Sequence, residues 1–122
     1  MGFKFKISTK DADDREGVVY VLIVRLEDGT EVYKIGVTKR DIQDRVVEIL
    51  SSFWTQYRYF PYCYPKRFRK TNGIYEKEAK LHKTFEAYRY EFDKKFGGSS
   101  EFFHGVDLVK IVEEYENILQ EC

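Results

Sequence analysis

Residues 18–37 read VVYVLIVRLEDGTEVYKIGV, and this stretch decides the fold. Val18 to Arg25 is a β-branched, apolar run typical of a central strand. Asp28-Gly29 is a strong hairpin-turn signal, and Glu31 to Val37 returns as the second strand. Downstream, Ile42, Val46, Ile49 and Leu50 recur at helical spacing and predict a helix over Lys39 to Ser51, with Thr38 or Asp41 placed to cap it. A third strand is expected around Tyr57 to Tyr64, ended by Pro65. The run from Pro65 to Lys70 then reads as an exposed basic loop. Thr71-Asn-Gly73 breaks the chain before a second helix over Ile74 to Phe92, whose stripe is Ile74, Leu81, Phe85 and Tyr88. Gly97 to Ser100 is a loop, followed by Glu101-Phe-Phe-His-Gly105. A last amphipathic helix, about Asp107 to Gln120, uses Leu108, Ile111, Val112, Tyr115 and Leu119 to cover the sheet. Upstream, residues 1–16 are polar and of mixed charge, a short strand and linker leading into one domain over 17–122. The expected fold is α+β: a small central antiparallel sheet of about three strands, hairpin first, flanked by helices.

Composition narrows the function classes. A chain of 122 residues fits one compact domain with a real core. No apolar run is long enough to span a membrane, and Met1 to Lys6 lacks the apolar centre of a signal peptide, so a cytoplasmic location and no membrane partner are expected. Cys63 and Cys122 are the only cysteines, which supports neither a disulfide scaffold nor a zinc ribbon.

Formal net charge is zero, from 21 basic and 21 acidic residues, a poor global footprint for a nucleic-acid binder. The distribution is polarised all the same. Residues 51–75 hold Arg58, Lys66, Arg67, Arg69 and Lys70, no Asp or Glu, and many aromatics. The last helix carries Glu113, Glu114, Glu116 and Glu121 against Lys110. A basic, aromatic segment suits a phosphate backbone, with cations neutralising charge and rings stacking on bases. The plainer alternative makes the aromatics core and the cations loop solubility.

Two charges interrupt the helical stripes. Arg45 lies three residues after Ile42 and four before Ile49, and Glu78 falls between Ile74 and Leu81. A charge facing the core needs a partner, a metal or a cleft. Arg45 and Glu78 either pair with each other, snorkel from the stripe margins, or mark a site.

The order of these elements resembles the GIY-YIG nuclease superfamily. Val18-Val19-Tyr20 stands where the first tripeptide belongs, and Lys34-Ile35-Gly36 where the second does, on the returning strand. Arg45 matches the arginine of the following helix. Glu78-Ala-Lys-Leu81-His82-Lys-Thr-Phe85 is similar to the Glu-x-x-Leu-His-x-x-Phe signature of a phage-rich branch, and Glu101-Phe102-Phe103 to the element after it. The resemblance implies a DNA endonuclease, a phosphodiester hydrolase of phage or mobile-element origin using one divalent metal, Mg2+ with Mn2+ as the substitute. It implies that Glu78 binds the metal and Arg45 the scissile phosphate, while Tyr20 orients or deprotonates the attacking water. A phenol acting as base would need nearby cations to lower its pKa.

The second tripeptide has Lys34 where the family name has tyrosine. Strand alternation puts Lys34 on that tyrosine's face and turns Tyr33 the other way. Lys34 either holds phosphate or lowers the pKa of Tyr20, and the identity of the general base stays open. His82 either touches metal, phosphate or Tyr20, or sits at the core edge bonded to backbone. Glu101 either joins the site or caps its loop. With no separate DNA-binding domain in view, specificity would come from the basic aromatic segment, a homodimer or a partner protein. The alternative is a non-cleaving nucleic-acid-binding module on the same fold.

Overall fold

The structure, a computed structural model, describes residues 16–120, so all but Glu16 of the N-terminal lead-in lies outside the described residues. Strands β1 (Gly17–Arg25) and β2 (Glu31–Thr38) form the expected antiparallel hairpin, with Tyr20 opposite Gly36 and Leu22 opposite Lys34. Its turn is tied by Leu26 N–H to the Thr30 carbonyl at 2.8 Å and by Thr30 N–H to Asp28 Oδ1 at 2.9 Å. Gly29 takes φ 91°, the left-handed conformation for which glycine pays no Cβ penalty.

A helix α1 (Ile42–Tyr57) follows, then β3 (Tyr62–Thr71), α2 (Ile74–Thr84), β4 (Phe102–Phe103) and α3 (Leu108–Gln120). The four strands form one sheet in the order β3-β1-β2-β4 with antiparallel pairing throughout. The α+β expectation therefore stands. The fourth strand is two residues long, too short to signal itself in sequence.

Three boundaries differ from the sequence reading. Helix α1 runs on to Tyr57 and stops where Arg58 turns left-handed (φ 61°, ψ 36°), so Tyr57 is helical rather than the start of a strand. Strand β3 begins at Tyr62 and continues through Pro65 to Thr71, so the supposed basic loop is strand. Pro65 survives there because β3 is an edge strand and the β1–β3 register shifts between Val21 and Leu22 beside it; a bulge on an edge tolerates a residue without an N–H. Helix α2 ends at Thr84 rather than Phe92. Beyond it the chain opens to pair with the sheet: Tyr90 N–H reaches the Phe102 carbonyl and His104 N–H the Tyr88 carbonyl, both at 2.8 Å, so Tyr88 leaves the helical stripe.

Strand alternation splits the core in two. Val19, Val21 and Ile23 pack with Ile35, Ile74, Leu81, Ile111 and Tyr115 under α2 and α3. Tyr20, Leu22 and Val24 pack with Ile49, Phe53, Phe92 and Phe102 under α1. A strand buried on both faces is why residues 18–24 carry no polar alternation. Tyr115 is fully buried and donates its hydroxyl to the Val19 carbonyl at 2.7 Å, tying α3 to β1. Tyr115→Phe should cost about 1–2 kcal/mol in urea unfolding, since the carbonyl loses a buried donor; a change of only a few tenths would show that α3 is held by packing alone. Among the described residues no helix is long and apolar enough to cross a membrane.

Candidate active site

Tyr20 sits at the middle of β1 and its side chain points to the α1 face. It fits there because its cross-strand partner is glycine: a Cβ on Gly36 would lie 2.5 Å from the Tyr20 hydroxyl and 2.7 Å from Cζ. The tyrosine of the first tripeptide thus lies across the glycine of the second. From α1, Arg45 donates Nε–H to the Tyr20 hydroxyl at 3.1 Å and Nη1–H to Glu48 Oε1 at 2.5 Å. Arg40 grips the other oxygen of Glu48. Together the Arg40 and Arg45 guanidiniums hold the Glu48 carboxyl below its ordinary range.

Lys34 shares the Tyr20 face, as strand alternation requires, while Tyr33 turns away and donates its hydroxyl to Glu31 at 2.9 Å. The Lys34 ammonium, only 1% exposed, donates to Glu101 Oε1 at 2.5 Å and to the Gly98 carbonyl at 3.0 Å, and lies 5.1 Å from the Phe102 ring centroid. Gly98 (φ 83°) presses its backbone onto this ammonium, a Cβ there falling 2.6 Å from Nζ. Burial lowers the Lys34 pKa and the Glu101 charge opposes it. Glu101, left open by the sequence, joins the cluster as the counter-ion of Lys34.

Glu78 and His82 arrive from the opposite layer, around the edge of β2. Among the described residues only β4 pairs with that edge, at Tyr33 and Lys34, which leaves it open from Ile35 onward. At Ile35, just past the end of β4, the backbone carbonyl takes His82 Nε2–H at 2.8 Å. A neutral His82 bonded this way carries its proton on Nε2, and burial lowers its pKa toward that neutral form. Glu78 Oε2 is 3.8 Å from the same nitrogen. Burial first, then the Glu101 charge, push the Glu78 carboxyl up to about 7, against the pull of Lys34 and Arg45. Arg45 and Glu78 do not pair with each other: Arg45 is taken by Glu48, and Glu78 abuts His82.

The Tyr20 pKa is raised, by burial above all, with Arg45 opposing. Lys34 is turned to Glu101 and Gly98, so the cation expected to acidify Tyr20 is engaged elsewhere. Tyr20 therefore keeps its proton, accepts from Arg45 and retains one donor of its own.

The five basic residues of the aromatic segment scatter. Arg58 stacks 5.7 Å from the Trp54 ring at the end of α1. Arg67 and Arg69 face α3 and share Glu116, at 3.3 and 2.6 Å. Lys66 is exposed near the bulge, and Lys70 lies 3.9 Å from Glu16. The face of β3 that adjoins Tyr20 carries Phe68, paired with Tyr20 in register and 56% exposed, and Lys70, paired with Val18. The sequence reading missed Arg40 and Glu48, whose only signal was their place around Arg45, and it missed the role of Gly36, a mid-strand glycine of the kind that marks close approach. Of the two residues offered as the helix cap, Thr38 is not at the cap position. Its hydroxyl instead accepts the Arg40 N–H at 3.1 Å, and Asp41 occupies the cap position without a side-chain bond.

Among the described residues no group of three or more His, Cys, Asp or Glu is arranged to hold a metal. A cation held by one carboxylate and otherwise by water and substrate oxygens needs less. Glu78 has that character: a partly buried carboxylate whose pKa is raised by burial and whose neighbour 3.8 Å away is the neutral His82 imidazole. The donor set fits a hard, water-rich ion such as Mg2+ and does not fit a zinc cage.

Comparisons with curated proteins and with solved structures returned no match. The family model of the T5orf172 domain matches residues 17–121. That span takes in every element from β1 to α3 and every residue of the Tyr20, Lys34, Arg45 and Glu78 cluster, and the chain belongs to the T5orf172 domain family.

Proposed function

We propose that this protein is a metal-dependent endonuclease that hydrolyses phosphodiester bonds in DNA. The observation that carries the reading is the convergence on Tyr20 of an arginine already bonded to its hydroxyl, with a weakly partnered, partly buried carboxylate, Glu78, arriving around the edge of β2. The GIY-YIG resemblance supports it, since the two tripeptides are cross-strand neighbours. Arg45 offers a forked donor set for the scissile phosphate and would offset charge developing there. Tyr20, protonated, orients the attacking water rather than deprotonating it. Glu78 would hold Mg2+ or Mn2+, which when bound supplies Lewis-acid stabilisation of the phosphate and the departing oxygen. Lys34, locked to Glu101, balances charge behind Tyr20.

In the observed state the guanidinium of Arg45 is occupied by Glu48, so a substrate phosphate competes with a resident carboxylate. Glu48→Gln should therefore tighten DNA binding about three- to tenfold in EDTA, read by fluorescence anisotropy. Unchanged or weaker binding would show that Glu48 does not occupy the phosphate position. For the wider footprint we assign Phe68 and Lys70, on the site face, ahead of Arg67 and Arg69, which α3 neutralises. Lys70→Ala should weaken binding and flatten its salt dependence by about one counter-ion, while Arg69→Ala changes it less. The reverse order would move the footprint to the α3 face.

A cytoplasmic setting and a specificity-giving partner or second copy complete the reading. Full burial of Tyr20 and near-full burial of Lys34 favour, as a second reading, a module that binds nucleic acid without cutting it. Incubation with supercoiled plasmid in Mg2+ or Mn2+, with EDTA as control, separates the two. Metal-dependent relaxed circles support the nuclease; salt-sensitive binding without cutting supports the module.

A further inference from the structure

The sheet face that carries Tyr20 continues to the hairpin end, six residues and about 20 Å along β1. There the rings of Tyr57, Tyr59, Tyr90 and Phe92 help to wall a cup of about 280 Å3. The rings meet at steep angles, Tyr90 to Phe92 at 76° with centroids 4.8 Å apart and Tyr57 to Tyr59 at 57° and 6.3 Å. Three carboxylates, Glu27, Asp28 and Asp93, also line the cup, and among the described residues no Lys, Arg or His does. Burial, then the charges of Asp28 and Asp93, raise the pKa of the Tyr90 hydroxyl, so the negative potential reaches into the cup. Aromatic faces and carboxylates both attract cations and repel a phosphate backbone. The chain already uses one of these rings so: the Lys94 ammonium lies 5.7 Å from the Tyr57 centroid, tethered to the Gln56 carbonyl at 3.3 Å.

We propose that this cup binds the cationic head of a lysine or arginine side chain presented by a partner protein. The volume suits a side-chain head, being at or below the lower end of pockets that enclose whole metabolites. The cup lies well away from the Tyr20 site, so a partner seated there would leave the DNA face open. The proposal goes beyond the nuclease reading and does not depend on it.

The test is an amide NMR titration of the full chain at constant ionic strength. The probes are Nα-acetyl-lysine amide and its neutral counterpart Nα-acetyl-norleucine amide, with spermidine as a free cation. The lysine probe should give saturable shifts around Tyr57, Tyr90 and Asp93, with the norleucine probe at least about tenfold weaker. Asp93→Lys, which puts an ammonium of the chain's own at the rim, should abolish the shifts, and Tyr90→Leu should weaken binding about tenfold. Equal binding of norleucine, no saturation, or indifference to Asp93→Lys would overturn the proposal. Tighter binding of spermidine than of the lysine probe would overturn the side-chain assignment in favour of a free polyamine.

Discussion

Glu78→Gln should abolish metal-dependent nicking and, at the same time, make the folded chain harder to unfold at pH 8. The first effect follows from removing the carboxylate that would hold the metal; a loss of at least about a hundredfold is the scale of deleting one main electrostatic stabiliser. The second follows from burial. The Glu78 carboxyl titrates near 7 in the folded chain against an ordinary value of 4.5. Between those values the folded state keeps a proton that the unfolded chain releases, so stability falls as pH rises through the window. Above about 7 the ionised carboxylate imposes its full cost, on the order of 2–3 kcal/mol. Glutamine keeps the shape and removes the charge. In EDTA, the variant should therefore unfold at higher urea than wild type at pH 8, and at the same urea at pH 4, where both side chains are neutral. Equal stability at both pH values would mean that Glu78 is solvated and not held in reserve for a cation.

Gly36→Ala should damage the site without touching a charged residue. The added Cβ would fall 2.5 Å from the Tyr20 hydroxyl and 2.7 Å from Cζ, well inside contact distance. Tyr20 has no room to retreat, being wholly buried in the α1-side core that also holds Leu22, Phe53 and Phe102, and bonded to Arg45. The ring must swing and release Arg45, or the hairpin must splay. Overpacking of this kind costs about 1–3 kcal/mol. Misplacing Tyr20 and Arg45 should lower nicking by about a hundredfold in the fraction that remains folded. Chemical denaturation and a nicking time course on the same preparation check both numbers. A variant as stable and as active as wild type would show that the ring does not depend on its glycine seat.

The hairpin was legible in sequence because its signals are local: a β-branched run, an Asp-Gly turn and a clean return. Strand alternation also put Lys34 on the Tyr20 face and turned Tyr33 away, and the register bears that out. Elsewhere tertiary context overrides local chemistry. Pro65 looked like a strand stop but sits beside a register shift on an edge strand, where its missing N–H costs nothing. Tyr57, read as the start of a strand, extends α1 instead, and α2 gives way after Thr84 because the following chain is drawn into pairing around β4. At the site, Arg45 and Tyr20 do meet, whereas the direct Arg45–Glu78 pair does not form. Its real competitor, Glu48, stands three residues along the same helix and reads as an ordinary surface charge. The pairing of Arg67 and Arg69 with Glu116 spans 49 and 47 residues, beyond any local pattern.

A time course of supercoiled-plasmid nicking tests directly the proposal that Tyr20, Arg45 and Glu78 form one phosphodiester-cleaving site. Wild type is compared with Glu78→Gln and Arg45→Ala in Mg2+ and in EDTA, each protein first shown to be folded. Nicking by wild type in Mg2+ alone, and by neither variant, is the predicted result. Nicking by Glu78→Gln at the wild-type rate, or by wild type equally well in EDTA, would contradict it.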